Sequence, residues 1–226
     1  MTKSSRTRAA RRAASAKPIV AYAYMPARYS RAAAAEGIFR LRRLSAFRTM
    51  ENEALRDPLE GKAASSAMSF AISELTTEQR AALNKHGFLG FPPNFDYNQS
   101  SINFIDCEFF KISPDYFTLC TSWSGANRHL ETIHDGLIKI IDVAGFAQAI
   151  GEAHSIHITG WGHGDVVYDD RPFDPLSAED VITPFQKRTR YAPEQERRII
   201  WSSRGGEPAE LMTHARGAAR FLKWIR

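Results

Sequence analysis

FQKRTRYAPEQERRIIW, residues 185–201, decides the reading of this chain. It holds five cations, two carboxylates and four large apolar residues in seventeen positions. Lys187, Arg188 and Arg190 read as the end of a helix. Pro193 then stops it, because proline lacks an N–H and biases the residue before it toward extended geometry. Arg198 to Trp201 reads as a strand, since β-branched and aromatic side chains fit a pleated, half-buried surface. Glu194 and Glu196 stand two apart at the mouth of that strand, so an extended chain points both carboxylates the same way. Like charges side by side are costly. Something cationic, or a ligand, is therefore expected between them. Lys187, Arg197 and Arg198 are the nearest partners for a purely structural ion-pair network.

Working outward, the expected organisation is α+β: a disordered basic tail (residues 1–17), then a single domain (18–226) with a central mixed, partly antiparallel sheet flanked by helices. Residues 1–17 carry six cations and no acid, which leaves 24 Lys+Arg against 25 Asp+Glu in the remainder. The near-neutral remainder argues against a broad nucleic-acid face on the globule. The tail itself is suited to contact nucleic acid or to serve as a solubilising arm. No apolar run approaches the roughly 20 residues of a membrane helix. The expected setting is the bacterial cytoplasm, with no membrane partner.

Upstream, Ile19–Tyr24 reads as a strand. Ala27–Glu36 reads as a helix ended by Gly37, and Ile38–Arg42 as a strand with one wet face. Residues 45–64 look like an exposed connection punctuated by Asn52, Asp57-Pro58 and Gly61. Ser69–Lys85 reads as a helix with a capping box at Thr76 or Thr77, and 87–106 as an aromatic, turn-rich stretch. Tyr116–Cys120 and Leu137–Ile141 read as strands, Ala126–Asp135 as a short helix, and Val143–Glu152 as a helix capped by Asp142. His154–Thr159 and Asp165–Tyr168 read as strands joined by a Gly-Trp-Gly-His-Gly turn. Ala178–Lys187 reads as a helix capped by Ser177, and Glu207–Ile225 as a final amphipathic helix.

No phosphate loop, dinucleotide-binding glycine pattern or nucleophile elbow is present. The histidines lack metal-ligand spacing; His157-Ile-Thr matches half of a two-histidine phosphoesterase signature. Cys120 reads as a buried small hydrophobe rather than a nucleophile. Three strands would bring polar groups to a common cleft: Tyr22 and Tyr24 on the first, Thr121-Ser122-Trp123 after the Cys120 strand, and Glu194/Glu196 on the late one.

Several short motifs, in order, resemble a bacterial domain of unknown function, family 2971. They are Tyr22-Ala-Tyr, Gly37-Ile-Phe-Arg-Leu, Asp57-Pro-Leu-Glu-Gly, Cys120-Thr-Ser, Gly136-Leu-Ile-Lys-Ile, Val166-Val-Tyr, Phe185-Gln-Lys and Glu194-Gln-Glu-Arg-Arg-Ile-Ile. Arg56 stands where the family usually has Asn, and Leu130 and His134 occupy the region of its Met-Trp pair. More distantly, Thr121-Ser122 and Glu194-Gln-Glu196 are similar to the Ser-Thr-Ser and Glu-x-Glu strands of ADP-ribosyltransferases. That resemblance implies an NAD-using transferase, a toxin or defence effector, acting on a protein or nucleic-acid acceptor. Glu196 would bind the nicotinamide-ribose hydroxyls and stabilise an oxocarbenium-like transition state, Glu194 would orient the acceptor, and Ser122 would steady Glu196. Tyr24 or Trp123 would stack on nicotinamide, Thr121 would sit in the same pocket, and Arg28 or Arg40 would meet the pyrophosphate. The alternatives are a non-catalytic protein- or nucleic-acid-binding module and a phosphodiesterase or nuclease using His and Glu, with His157 as the histidine.

Overall fold

Short runs of β-branched and aromatic residues bounded by Gly, Pro and Asp favour strands, and strands dominate here. The computed structural model describes residues 17–49, 57–58, 60–90, 95–180, 183–205 and 208–226. In chain order the first elements are β1 (Ala21–Met25), α1 (Ala27–Glu36), β2 (Arg40–Arg43), α2 (Leu44–Phe47), β3 (Lys62–Ala64), β4 (Met68–Ala71) and α3 (Thr77–His86). Next come β5 (Asn103–Cys107), β6 (Phe110–Ile112), β7 (Phe117–Ser122), α4 (Arg128–Glu131), β8 (Gly136–Ile140) and α5 (Val143–Ala153). The chain continues through β9 (Ile158–Asp165), β10 (Val167–Tyr168), β11 (Gln186–Lys187), β12 (Glu196–Ser203), β13 (Glu210–Met212), α6 (Arg216–Ala219) and β14 (Leu222–Trp224). No helix among the described residues is long and apolar enough to cross a membrane.

The fold is α+β. Its large sheet has eight strands, and each of their pairings is antiparallel. A parallel pairing joins β10 to β11, outside that sheet. β7 is the branch point. One edge pairs with β12 along its length, and β12 pairs in turn with β9. The other edge is shared: β2 takes Phe117 and Thr118, while β1 takes Ser122. β2 leads on to β13, and β1 to β8 and β14.

Because side chains alternate across a strand, the sheet has two unlike faces. The back face is the main core. Ala21, Phe117, Ile138, Ile140, Ile199 and Trp201 pack against Val143, Phe146, Ala147 and Ile150 of α5 and Ala33 of α1. The indole N–H of Trp201 donates to the carbonyl of Ala147 at 2.9 Å, so the largest buried ring leaves no polar group unpaired. A second apolar cluster (Ile72, Leu75, Leu83, Leu89 and Phe109) packs with Phe70, Phe88 and Phe104. It gives the aromatic stretch after residue 86 a packing role.

Three helix signals that rest on capping chemistry stand where expected, and the Ser177 cap does not. Gly37 ends α1 in the left-handed region (φ 66°). Asp142 accepts from the amide of Gly145 to open α5. Thr76 and Gln79 form a reciprocal capping box before α3. Four expectations need correction. Residues 69–74, expected as the start of that helix, belong to β4 and a 3-10 turn. The Gly-Trp-Gly-His-Gly run is no turn: it is the middle of β9, carried by its pairing with β12. The expected 178–187 helix is turns ending in β11, with residues 181–182 outside the described set. The expected C-terminal helix is β13, the four-residue α6 and β14, two strands of which extend the large sheet. Residues 1–16 of the expected 1–17 tail, Asn52 and Arg56 also fall outside the described residues.

Candidate functional site

Register brings three sequence-distant motifs into one row on the front of the sheet. Tyr22 on β1 pairs with Ser122 on β7, and Ser122 pairs with Glu196 on β12. One step along, Cys120 faces Arg198, which faces Gly164 on β9. A Cβ on Gly164 would stand 3.2 Å from the Phe185 ring, so glycine gives that ring room to lie against β9. The Pro184 carbonyl beside it accepts from the Arg198 guanidinium.

On the β12 side the row ends in a sealed charge network. Arg198 is fully buried; it donates Nε to Glu196 Oε1 at 2.7 Å and Nη2 to Glu196 Oε2 at 3.3 Å. Its Nη1 lies 2.7 Å from Glu60 Oε1, within ion-pair distance but off the hydrogen-bonding direction. Lys187 Nζ bridges the two carboxylates, at 2.7 Å from Glu194 Oε2 and 3.2 Å from Glu196 Oε2, and sits 4.5 Å above the Tyr191 ring. The cation expected between the two carboxylates is thus Lys187, with Arg198 behind it. Arg197 points elsewhere, to Asp165 at 2.6 Å. Glu194 and Glu196 do not meet through extended geometry. Glu194 ends a 3-10 turn, and Gln195 takes a left-handed φ of 49° before β12 begins. That conformation is uncommon for a non-glycine residue. It is held by the Trp123 amide on the Gln195 carbonyl (3.2 Å) and by Asn127 Nδ2 on the carbonyls of Pro193 (3.0 Å) and Glu194 (2.8 Å).

Three carboxylates share two cations, and burial sorts their proton affinities. Burial alone would raise the Glu196 carboxyl, but Arg198 and Lys187 outweigh it and hold it well below the usual carboxylate range. Glu60 and Glu194 go the other way: burial raises both, and neighbouring Glu196 adds to it. Burial opposes the charge of Lys187, yet Glu196 and Glu194 raise its pKa overall. The Tyr168 hydroxyl accepts from the Glu196 amide at 2.8 Å, and its pKa is pushed up to about 12, chiefly by burial. Cys120 is driven well above the ordinary thiol range by burial and by Glu196, which leaves it a poor nucleophile.

On the β1 side the row opens into a cleft of about 500 Å³ lined by Tyr22, Trp123, Ser124, Gly125, Ala126, Leu137 and Ile225. A Cβ on Gly125 would come within 2.6 Å of the Tyr22 ring, so this glycine is what lets the ring lie against the loop. Trp123 is half exposed at its wall. A second cleft of about 470 Å³ shares Ile225 with the first and is lined by Ala27, Arg28, Ser30, Arg31, Trp224 and Arg226.

The expected site residues therefore divide. Ser122 and Glu196 are neighbours, but they are 0% and 2% exposed and line neither cleft. Tyr22, not Tyr24, faces the open cleft. The Tyr24 hydroxyl donates to the Ser124 carbonyl (3.1 Å) and accepts from the Asn127 amide (3.0 Å), so it braces the loop. Trp123 and Arg28 line the two adjoining clefts. Thr121 points to the opposite face of its strand and donates to the Arg197 carbonyl at 2.6 Å. Arg40 lies on β2 and is held by Glu210. His157 follows α5 in a turn, where its carbonyl accepts from Arg204. Among the described residues no group of three His, Cys, Asp or Glu is arranged to hold a metal ion.

Glu60 was missed because residues 45–64 read as an exposed connection, whereas Asp57 and Glu60 are both 3% exposed. Their signal lay in the Asp57-Pro-Leu-Glu-Gly motif. The motifs quoted for the family resemblance supply Glu60, Cys120, Ser122, Tyr168, Lys187, Glu194, Glu196 and Arg198, and the fold gathers them around one carboxylate. No family model, curated protein or solved structure matches the chain.

Proposed function

We propose that this chain transfers ADP-ribose from NAD to an acceptor, in the cytoplasm of a bacterium, as a toxin or defence effector. One observation carries the reading. The three strands that correspond to the transferase motifs lie side by side in the order β1, β7, β12, with Tyr22, which stands where the transferases carry an Arg or His, Ser122 and Glu196 in one row. Glu196, kept ionised by Arg198 and Lys187, would accept from the nicotinamide-ribose hydroxyls. It would then stabilise the charge that develops on the ribose as the C–N bond breaks and nicotinamide leaves with the bonding pair. Glu194, the more basic carboxylate of the two, would take the proton from the acceptor nucleophile that closes on the anomeric carbon. Tyr22 and Trp123 would stack on the nicotinamide, and Arg28 in the adjoining cleft would face the diphosphate. Because Lys187 caps Glu196 Oε2, the ribose hydroxyls take the place of its ammonium in this reading.

The test is consumption of labelled NAD, alone and with cell lysate, by the native chain, Glu196→Gln and Trp123→Ala. Nicotinamide release should fall about 100-fold or more in Glu196→Gln. It should fall through a raised KM in Trp123→Ala, whose exposed position spares the fold. Absence of NAD turnover by the native chain ends the reading.

The burial of Glu196 favours a second reading, in which the network is a structural clasp in a binding module whose basic segment (residues 1–17) contacts nucleic acid. Salt-sensitive nucleic-acid binding that disappears on removal of that segment, together with no NAD turnover, would select it.

A further inference from the structure

We propose that the outer edge of β9 pairs with the same edge of a second copy of this chain, antiparallel about Gly162, to give a two-fold dimer with one continuous sheet. The large sheet ends at three strands, β13, β14 and β9. β13 and β14 are three residues long and carry Glu210 and Lys223, and short, charged edges resist pairing. β9 runs for eight residues, Ile158–Asp165, without a lysine, arginine or proline. The Val166 amide donates to the Glu196 carbonyl at 3.0 Å, and an antiparallel ladder alternates from there. Gly160, Gly162 and Gly164 therefore turn their N–H and C=O groups toward β12, and Trp161 and His163 turn theirs outward. Among the described residues no hydrogen bond reaches those outward groups.

The edge is matched to itself. Thr159-Gly-Trp-Gly-His-Gly-Asp165 has the same pattern in both directions about Gly162, with glycines at alternate positions and one ring on either side. An antiparallel copy in that register sets Trp161 opposite His163, Gly160 opposite Gly164 and Asp165 opposite Thr159. Side chains alternate across a strand, so the rings share one face and the glycines the other. On the ring face Trp161 lies over Gly151 of α5, is 40% exposed, and stacks on His163 with 6.2 Å between centroids and 14° between planes. The second copy extends that stack across the axis, and aromatic cross-strand pairs stabilise a sheet. On the glycine face β9 has no side chain to bar approach. The Phe185 ring, which lies against Gly164, would meet only the bare backbone of Gly160 of the second copy. Charge is complementary too. Asp165, the one charged residue of β9, is held by Arg197 at 2.6 and 3.0 Å and faces a threonine rather than a like charge.

This pairing does not depend on the transferase reading. The experiment is sedimentation equilibrium of the full chain, native and His163→Pro. The His163 amide points outward, so proline removes an edge donor and leaves the β9–β12 ladder intact, which a thermal melt checks. The native chain should dimerise at micromolar concentration, and His163→Pro should raise the Kd about tenfold or more. A second variant, Gly162→Cys in a Cys107→Ser background, reads the register directly. A Cβ at 162 would stand 3.7 Å from Ile200 Cγ1, an ordinary contact, so the side chain fits. Position 162 would face its own copy as a non-hydrogen-bonded pair with Cα atoms about 4.5 Å apart, within disulfide reach. Oxidation with copper phenanthroline should therefore link two chains. A native chain that is still monomeric at about 100 μM overturns the proposal. So does a dimer in which Gly162→Cys forms no cross-link, or one whose affinity a folded His163→Pro leaves unchanged.

Discussion

The row Tyr22–Ser122–Glu196 separates two regions that handle charge in opposite ways. On the β12 side the charges of the network are buried or mostly so, and each faces an opposite one: Glu60, Glu194 and Glu196 against Arg198 and Lys187. On the β1 side Arg28 and Arg31 are exposed and held by ring faces, with no carboxylate at ion-pair distance among the described residues. Desolvation explains the difference. A buried ion costs several kcal/mol unless it is paired and hydrogen-bonded, whereas an exposed guanidinium keeps its water. The same pairing that makes the first region tolerable leaves few groups there free to meet a ligand. The second region keeps its donors available.

The largest effect should come from breaking the sealed side. Arg198→Met leaves Glu60 and Glu196 buried with Lys187 as the remaining cation, and should cost about 3–5 kcal/mol in urea denaturation. Replacing the group as a whole, Arg198→Met with Glu60→Leu and Glu196→Leu, should recover most of that loss, because apolar residues need no partners. A single variant that loses less than about 1 kcal/mol would mean that the network is wetter than its geometry implies.

Acid titration should come next in size, and its sign follows from the directions of the shifts. Glu60 and Glu194 have folded pKa values above the ordinary 4.5. On acidification from neutrality the folded state takes up their protons first, so stability rises until the pH reaches the unfolded carboxyl range. Glu196 has a folded pKa well below 4.5. Its contribution is present above the unfolded value and is lost as the pH falls through the folded one. Urea midpoints should therefore peak on the acid side of neutrality and fall steeply below about pH 4.5. In Glu196→Gln the falling limb should flatten.

What the sequence disclosed follows the range of the physics involved. Gly37, Thr76 and Asp142 announced helix ends because caps are local chemistry. The alternate glycines of β9 looked like a turn because glycine is permissive. Their strand comes from pairing with β12 alongside, and the Phe185 ring, which would meet any Cβ at 164, accounts for glycine there. Leu211, Ala215, Ala218, Leu222 and Ile225 suit a helical stripe. The ladders of β13 on β2 and β14 on β8 override that preference with partners more than 80 residues away in the chain. The site shows the same divide. Glu194, Glu196 and Lys187 lie within ten residues, and their attraction could be read locally. Glu60 reaches them only through the fold, and whether Glu196 would be open or sealed depended on elements that no short window contains.

The smallest effect is the one that most sharpens the contrast. Arg40, on β2, meets Glu210 on β13 through the same guanidinium–carboxylate chemistry that joins Arg198 to Glu196. Its side chain, however, is 52% exposed, against 0% for Arg198. Water already solvates both partners at the sheet edge, and Arg42 also reaches Glu210 at 2.8 Å, so the carboxylate would not be stranded. Arg40→Ala should cost at most about 1 kcal/mol, and less as salt is added. A loss approaching that of Arg198→Met would mean that position in the sheet, rather than burial, sets the strength of these pairs.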